Sequence, residues 1–276
     1  MVSIIVTVCN QLGMNRLFYE YLKRNTSLPY ELIVVDNHST DGSREFFRER
    51  ADVMIENDAN YSYPRSQNQG IAVARYDYLV FINNDVLVTR DWDKRLIETM
   101  NHPSGGGVCE TVCACSNDHL EGRKAQRRLN NRWKRIKYPL RFLFGTRYAS
   151  LRAMVCLTYG NLNRLGERRW EKFGTRCIEG FNGSCVAFKR TILDKVGLWD
   201  ERIQAGDFDY FCMVKERSLT VGDLRPMQVA LGVFVHHFQR LTERSKHVEF
   251  ADRPNIITLE AKWGDRMPGL MKDIVE

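Results

Sequence analysis

Short runs of β-branched and aliphatic residues alternate with longer amphipathic stretches along the first hundred positions. Val2-Ser3-Ile4-Ile5-Val6-Thr7-Val8 is mostly apolar and stops at Cys9-Asn10. A run of that kind predicts a strand covered on both faces. From Leu12 to Arg24, Leu17, Phe18, Tyr21 and Leu22 recur at the spacing of one helix face. Glu31 to Val35 reads as a second buried strand and leads into Asp36-Asn37-His38-Ser39-Thr40-Asp41-Gly42-Ser43. Asp41 or Ser43 is the expected N-cap of a helix over Arg44 to Arg50. Val53 to Ile55 predicts a short strand, Ser66 to Arg75 a helix, and Leu79 to Ile82 another strand. This alternation predicts a doubly wound, largely parallel α/β sheet. Ligands of such sheets sit at the carboxyl ends of the strands. Thr7, Asn10, Asp36, Asn37, Asn83, Asn84 and Asp85 all fall at such ends.

The last of these ends is the most informative. An apolar strand breaks off at Asn83-Asn84-Asp85, three small oxygen-bearing side chains in a row. Asp85 offers hard oxygen to a divalent cation, with Asn83 and Asn84 assisting directly or through water. The same residues also suit an ordinary turn.

Several segments carry a family resemblance. Ser3 to Thr7 through Asn10, Val34 to Ser43, Asn68-Gln69-Gly70-Ile71-Ala72 and Phe81-Ile82-Asn83-Asn84-Asp85-Val86 form a first block. A second block comprises Gly180 to Cys185 with Lys189-Arg190, Val196 to Arg202, Asp207-Phe208-Asp209-Tyr210, Val235-His236-His237 and Lys262-Trp263-Gly264. In order and spacing these resemble family 2 glycosyltransferases of the GT-A fold, of the bacterial polysaccharide or rhamnosyltransferase type. The likeness covers roughly residues 1–115 and 178–264. It implies a Rossmann-like mixed sheet flanked by helices, in a single domain over 1–276. Residues 1–115 would bind the nucleotide-sugar, 116–178 would be a basic helical insertion, 179–264 the acceptor and catalytic half, and 265–276 a tail.

The resemblance also implies roles. Thr7 and Asn10 would line base and ribose, Asp36 would accept from the pyrimidine ring N–H, and Asn68 would lie beside the nucleotide. Asp85 would hold Mn²⁺ or Mg²⁺ as the last member of an Asp-x-Asp element, with Asn83 in place of the first Asp. Either His236 or His237 would join it; strand neighbours point to opposite faces, so one of the pair serves. Asp207 would be the general base that takes the acceptor's proton, with Asp209 the second choice. Where the family has Glu before that Asp, this chain has Gly206. Without the resemblance, a helix N-cap is the favoured reading of Asp207.

Composition changes the picture in one place. The chain carries a net charge of +7, yet residues 123–176 hold 16 Lys or Arg against Glu167 and Glu171. The remainder is therefore net acidic. Trp133, Ile136, Tyr138, Leu140, Phe142, Leu143, Phe144, Tyr148 and Leu151 interleave the charge. The segment reads either as a solvated insertion with a few core anchors or as an amphipathic element resting on anionic lipid. In the second case it would bring the site to a lipid-linked acceptor. Nucleic-acid binding is disfavoured, because no recognised motif accompanies the charge.

No run of about 18 apolar residues occurs, so no transmembrane helix is expected. The apolar start lacks a basic leader, so no signal peptide is expected. Eight scattered cysteines point to a reducing, cytoplasmic compartment, and the lipid-facing reading of the basic insertion would put the protein at the inner face of a membrane. Cys109, Cys113 and Cys115 with His119 raise zinc, but lack the usual Cys-x-x-Cys spacing. Gln239 to Asn255 is polar, and by resemblance would be a flap whose Arg240, Arg244 and Lys246 reach the donor diphosphate. A dinucleotide-dependent oxidoreductase is disfavoured, since no Gly-x-Gly-x-x-Gly follows the first strand. A catalytically inactive nucleotide- or glycan-binding module is the alternative to an enzyme.

Overall fold

A computed structural model describes residues 1–104, 107–117, 123–239 and 249–271. Its strands are β1 (Val2–Val8), β2 (Tyr30–Asn37), β3 (Val53–Asn57), β4 (Tyr78–Ile82), β5 (Val86–Val88), β6 (Thr111–Ser116), β7 (Cys177–Glu179), β8 (Cys185–Lys189) and β9 (Gln228–His237). They form one nine-stranded sheet in the order β3-β2-β1-β4-β8-β6-β9-β5, with β7 also on β9. The strands β1 to β4 are mutually parallel and β8 turns antiparallel between β4 and β6. Residues 2–82 therefore form the parallel part expected from the sequence.

The helices are α1 (Leu12–Asn25), α2 (Ser43–Arg48), α3 (Tyr63–Val73), α4 (Trp92–Asn101), α5 (Arg123–Phe144), α6 (Tyr148–Tyr159), α7 (Leu162–Phe173), α8 (Ile192–Val196), α9 (Gly206–Thr220), α10 (Leu259–Trp263) and α11 (Met267–Met271). Two apolar layers cover the sheet. Ile4, Val6, Leu32 and Val34 join residues of α1, α4, α5, α6 and α7 on one side. Ile5, Ile33, Leu79 and Phe81 join α3, α9 and α11 on the other. Strand side chains alternate between faces, so a nearly continuous apolar strand is what two covered faces require. Gly70 explains part of its own motif: a Cβ there would sit 2.4 Å from Ile5 Cγ2. Bare backbone lets α3 lie directly on β1.

Two expectations need correction. The helix read from Ser66 begins at Tyr63, with Pro64 in its first turn, where a missing N–H costs nothing. Neither Asp41 nor Ser43 caps α2; Gly42 holds that position at φ 90°. The Asp41 carboxylate instead accepts from Leu12 N (2.8 Å) and from Ser43 Oγ (2.6 Å), tying the starts of two helices together. The basic insertion has its core anchors. Trp133, Leu151, Met154, Val155 and Leu162 are buried in the first apolar layer. Among the described residues no helix is long and apolar enough to cross a membrane.

Candidate active site

The ends of β1, β2 and β4 meet as expected. Asp36 closes β2 with its carboxylate wholly buried. Its Oδ1 accepts from Ser39 N at 3.0 Å and from Arg44 Nε at 2.8 Å. Its Oδ2 is buried with no hydrogen-bond partner. A buried carboxylate oxygen left so costs free energy until a donor arrives. Arg44 and Ser39, which sequence reasoning passed over, fix which oxygen is left open.

Asn10 sits in a left-handed turn at φ 58°, followed by Gln11 at φ 72°. Its Oδ1 accepts from Thr40 N (2.8 Å) and its N–H donates to Ser39 Oγ (2.8 Å). Asn10 thus clasps the loops after β1 and β2 together. Thr7 Oγ1 accepts from Gln67 Nε2 at 3.2 Å. Asn68 is placed elsewhere than expected. Its amide donates to Trp199 O (2.9 Å) and Glu201 Oε1 (3.0 Å) and accepts from Trp199 N (3.1 Å). It pins the Val196–Arg202 segment to α3. The residue of α3 that faces Thr7 is its neighbour Gln67, buried, with Oε1 lacking a partner.

The turn after β4 separates its three polar residues. Asn83 N–H donates to Ser184 O at 3.1 Å. Asn84 turns to α1, donating to Asn15 Oδ1 at 2.7 Å, so its amide nitrogen holds the turn. Asp85 is buried and faces His237, whose Nε2 lies 3.2 Å from Oδ1. Burial pushes the Asp85 carboxyl up, but the His237 and Lys137 charges outweigh it and hold the pKa below its ordinary value. Asn117 locks the His237 backbone, accepting from its N–H at 2.7 Å and donating to its carbonyl at 3.1 Å.

His236 points the other way. Its ring packs 4.4 Å from that of Trp133, and Nδ1 lies 2.8 Å from Tyr159 Oη. Burial first, then the charges of His237 and Lys137, drive its pKa well down. The expectation that either histidine could be the ligand therefore narrows to His237, because strand alternation buries His236 in the insertion's core. Among the described residues no three His, Cys, Asp or Glu side chains are grouped to hold a metal ion by themselves. One carboxylate and one imidazole do fit a site that substrate phosphates and water complete, and imidazole suits Mn²⁺ better than Mg²⁺.

Across the cleft, Asp207 lies in the first turn of α9, whose N-cap is Ala205. It is not the cap. Its carboxylate rests on the loop before β8: a Cβ on Gly183 would lie 1.8 Å from Oδ2. Gly183 adjoins Ser184, whose carbonyl holds Asn83, so Asp207 stands opposite the Asn83–Asp85 turn. Tyr63, the first residue of α3, has a buried hydroxyl with no partner. Burial pushes that hydroxyl's pKa up and the charge of Asp207 adds to it. Asp209 is fully committed elsewhere, accepting from Trp263 Nε1 (2.6 Å) and Lys262 Nζ (2.7 Å). At Gly206 a Cβ would meet Pro64 Cγ at 2.7 Å. The side chain that the family carries there is excluded by α3.

The zinc reading gains no support. Cys109 and Cys113 are buried, and burial first raises their thiols to about 11 and about 12, away from the thiolate a metal needs. His119 lies outside the described residues, as do Arg240, Arg244 and Lys246 of the expected flap. The end of that flap region is docked, with Asp252 accepting from Ser62 N (3.0 Å) and Ser62 Oγ (2.6 Å).

The family model for glycosyl transferase family 2 matches residues 3–159. The chain belongs to that family. Residues 160–276, Asp207 and His237 included, lie beyond the matched stretch. The mannosyltransferase PcManGT from Pyrobaculum calidifontis, in complex with GDP-Man and Mn²⁺, is similar in structure at 17% identity. It aligns over 83% of this chain and 56% of its own, with a TM-score of 0.51. S. aureus TarS in complex with UDP-GlcNAc is similar at 14% identity over 90% of this chain and 62% of its own, TM-score 0.52. These establish the GT-A fold. The chain spans little more than half the length of these two structures. No curated protein matches it significantly.

Proposed function

We propose that this family 2 chain is an inverting, metal-dependent glycosyltransferase that moves a sugar from a UDP- or dTDP-sugar to a hydroxyl of a glycan or lipid-linked acceptor. The observation that carries the reading is the unpartnered Oδ2 of buried Asp36. A pyrimidine ring N–H is the donor that would satisfy it, at the strand end where a nucleotide belongs. Residues 1–115 form the donor half and 179–264 the acceptor half. Thr7, Asn10 and Gln67 border the nucleotide, and Asn83 lies on the donor side of the turn. Two proteins of this fold hold nucleotide-sugars, GDP-Man with Mn²⁺ in one and UDP-GlcNAc in the other.

Asp85 and His237 would hold Mn²⁺ or Mg²⁺. When bound, that ion would neutralise charge on the departing diphosphate. Asp207 takes the proton of the acceptor hydroxyl as its oxygen attacks the anomeric carbon from the side opposite the diphosphate. The C–O bond to the acceptor forms as that to the diphosphate breaks, which inverts the anomeric centre. The acceptor is part of a growing surface polysaccharide, and the basic insertion 123–176 brings the enzyme to the inner face of a membrane.

Calorimetric titration with UDP and dTDP, each with Mn²⁺, Mg²⁺ or EDTA, tests the reading, with GDP as the control base. Metal-dependent binding of UDP or dTDP over GDP supports it. Failure of a folded sample to bind any of them shifts weight to an inactive module.

A further inference from the structure

The basic insertion divides into a face that builds the core and a tip that does not. Along α5, Trp133 and Lys137 are buried and Leu129, Ile136 and Leu140 are half-buried. The last turn behaves differently. Phe142 is 89% exposed, Leu143 66%, Phe144 59% and Tyr138 50%. Gly145 then ends the helix in a left-handed turn at φ 66°. Its N–H donates to Arg141 O at 2.9 Å, so the three residues belong to a formed helix end.

Three consecutive helix residues fan out by about 100° each. No flat protein face can cover all three, because a packed helix buries residues three and four apart. A medium that surrounds the tip can. The charge around it is of one sign. Between Arg123 and Tyr159 there are eleven Lys or Arg and no Asp or Glu. Lys134 and Arg135 on α5, and Arg147 and Arg152 beyond it, are exposed. Apolar points set in a basic collar complement an anionic bilayer surface.

A cleft of about 1050 Å³ opens at the root of the tip. Leu143, Phe144 and Arg147 form one wall, and Asn10, Gly13 and Arg16 of the β1–α1 region form the other. The same segment thus joins the exposed tip to the nucleotide end of the sheet. We infer that the α5 tip, Phe142-Leu143-Phe144, inserts among the lipids of an anionic membrane while Lys134, Arg135, Arg147 and Arg152 lie at the headgroups. This rests on the peripheral-membrane reading of residues 123–176 and names the part that makes the contact. The tip then holds the cleft mouth at the headgroup layer, where a lipid-linked acceptor presents its phosphates.

The test is flotation of the full chain with vesicles of phosphatidylcholine alone or with 30 mol% phosphatidylglycerol, a content of roughly the anionic fraction that attracts basic segments. The wild type is compared with the variant Tyr138→Ser/Phe142→Ser, whose two exposed side chains lie outside the lining of the cleft. Thermal melting and calorimetric UDP titration of both proteins report folding and the donor site independently. The expected result is flotation of the wild type with anionic vesicles, about tenfold or more weaker for the variant, with equal melting and equal UDP binding. Equal flotation of the two proteins overturns the tip assignment while leaving peripheral contact in place. No flotation of either overturns both. Self-association of the wild type that the variant loses, without flotation, overturns the membrane in favour of a second copy of the chain.

Discussion

The Asp207 carboxylate occupies the space that a side chain on Gly183 would need, with Oδ2 only 1.8 Å from an ideal Cβ. The proposed general base is placed by the absence of an atom. Gly183→Ala should therefore displace it and lower kcat about a hundredfold, since small misplacements of reacting groups are that costly. Asp207→Asn should lower kcat by about 10²–10⁴. Both should leave UDP binding near normal by calorimetry. Loss of nucleotide affinity in Asp207→Asn would contradict the base role.

Asp36 should matter for the nucleotide and not for the sugar. Asp36→Ala removes the unpartnered Oδ2 and one of the two hydrogen bonds of Arg44, the 2.8 Å bond from Nε, while that to Asn57 O stays. Nucleotide Kd should rise about ten- to a hundredfold, the worth of a buried charge-assisted hydrogen bond. The loss should be the same for free nucleotide and nucleotide-sugar. An unchanged Kd would remove Asp36 from the base site.

The two adjacent histidines should separate cleanly. Asp85→Ala and His237→Ala should each abolish the dependence of donor binding on Mn²⁺. His236→Phe should leave that dependence intact, because His236 contacts Trp133 and Tyr159 on the far face. Its effect should be on stability, about 1 kcal/mol for the lost hydrogen bond between His236 and the Tyr159 hydroxyl. Titrating Mn²⁺ into each variant with UDP present decides it; altered metal affinity in His236→Phe would reverse the assignment.

The Asp200–Lys262 pair predicts a pH signature. Asp200 accepts from Arg202 and lies 2.9 Å from Lys262. The Arg202 hydrogen bonds first, then those of Lys262, pull its pKa well below the ordinary value despite burial. A depressed folded pKa gives stability that is full above the unfolded value, about 3.9, and is lost as pH falls through the lower folded value. Asp200→Asn should cost about 1 kcal/mol at pH 5–8, kept small by solvent screening around Arg202. The gap from wild type should narrow below pH 4. Urea unfolding at pH 7, 5 and 3 measures it, and a gap that widens on acidification would show the pair is not the cause.

Much of the donor half was legible in the sequence. The strand runs of β1, β2 and β4 announce themselves because both faces are covered, and their polar ends fall where ligands of such sheets bind. Asp36, Asp85 and Asp207 could be singled out from those positions and from the family resemblance. What could not be read was which way each polar side chain turns. Asn68 and Gln67 are adjacent in α3, but the first faces Trp199 and the second Thr7. Asn84 and Asp85 are adjacent after β4, but the first serves α1 and the second His237. A signal for Gln67 did exist in the helical spacing that aims it at β1, once the helix start at Tyr63 is known.

The insertion shows the same division. Its charge and its aromatic residues were plain in the composition, and so was the choice between solvated and lipid-facing readings. Only the packed structure sorted Trp133 and Leu151 into the core and left Phe142 to Phe144 outside. The sequence alone determined the strand–helix alternation, the α/β class and the candidate carboxylates, because periodicity and turn chemistry are local. The tertiary structure decided the partners: Arg44 on Asp36, Gly183 under Asp207, and His237 rather than His236 beside Asp85. The last two pairings join residues far apart in the chain, and even Arg44 reaches Asp36 only across a loop; no local pattern encodes which group a side chain will meet.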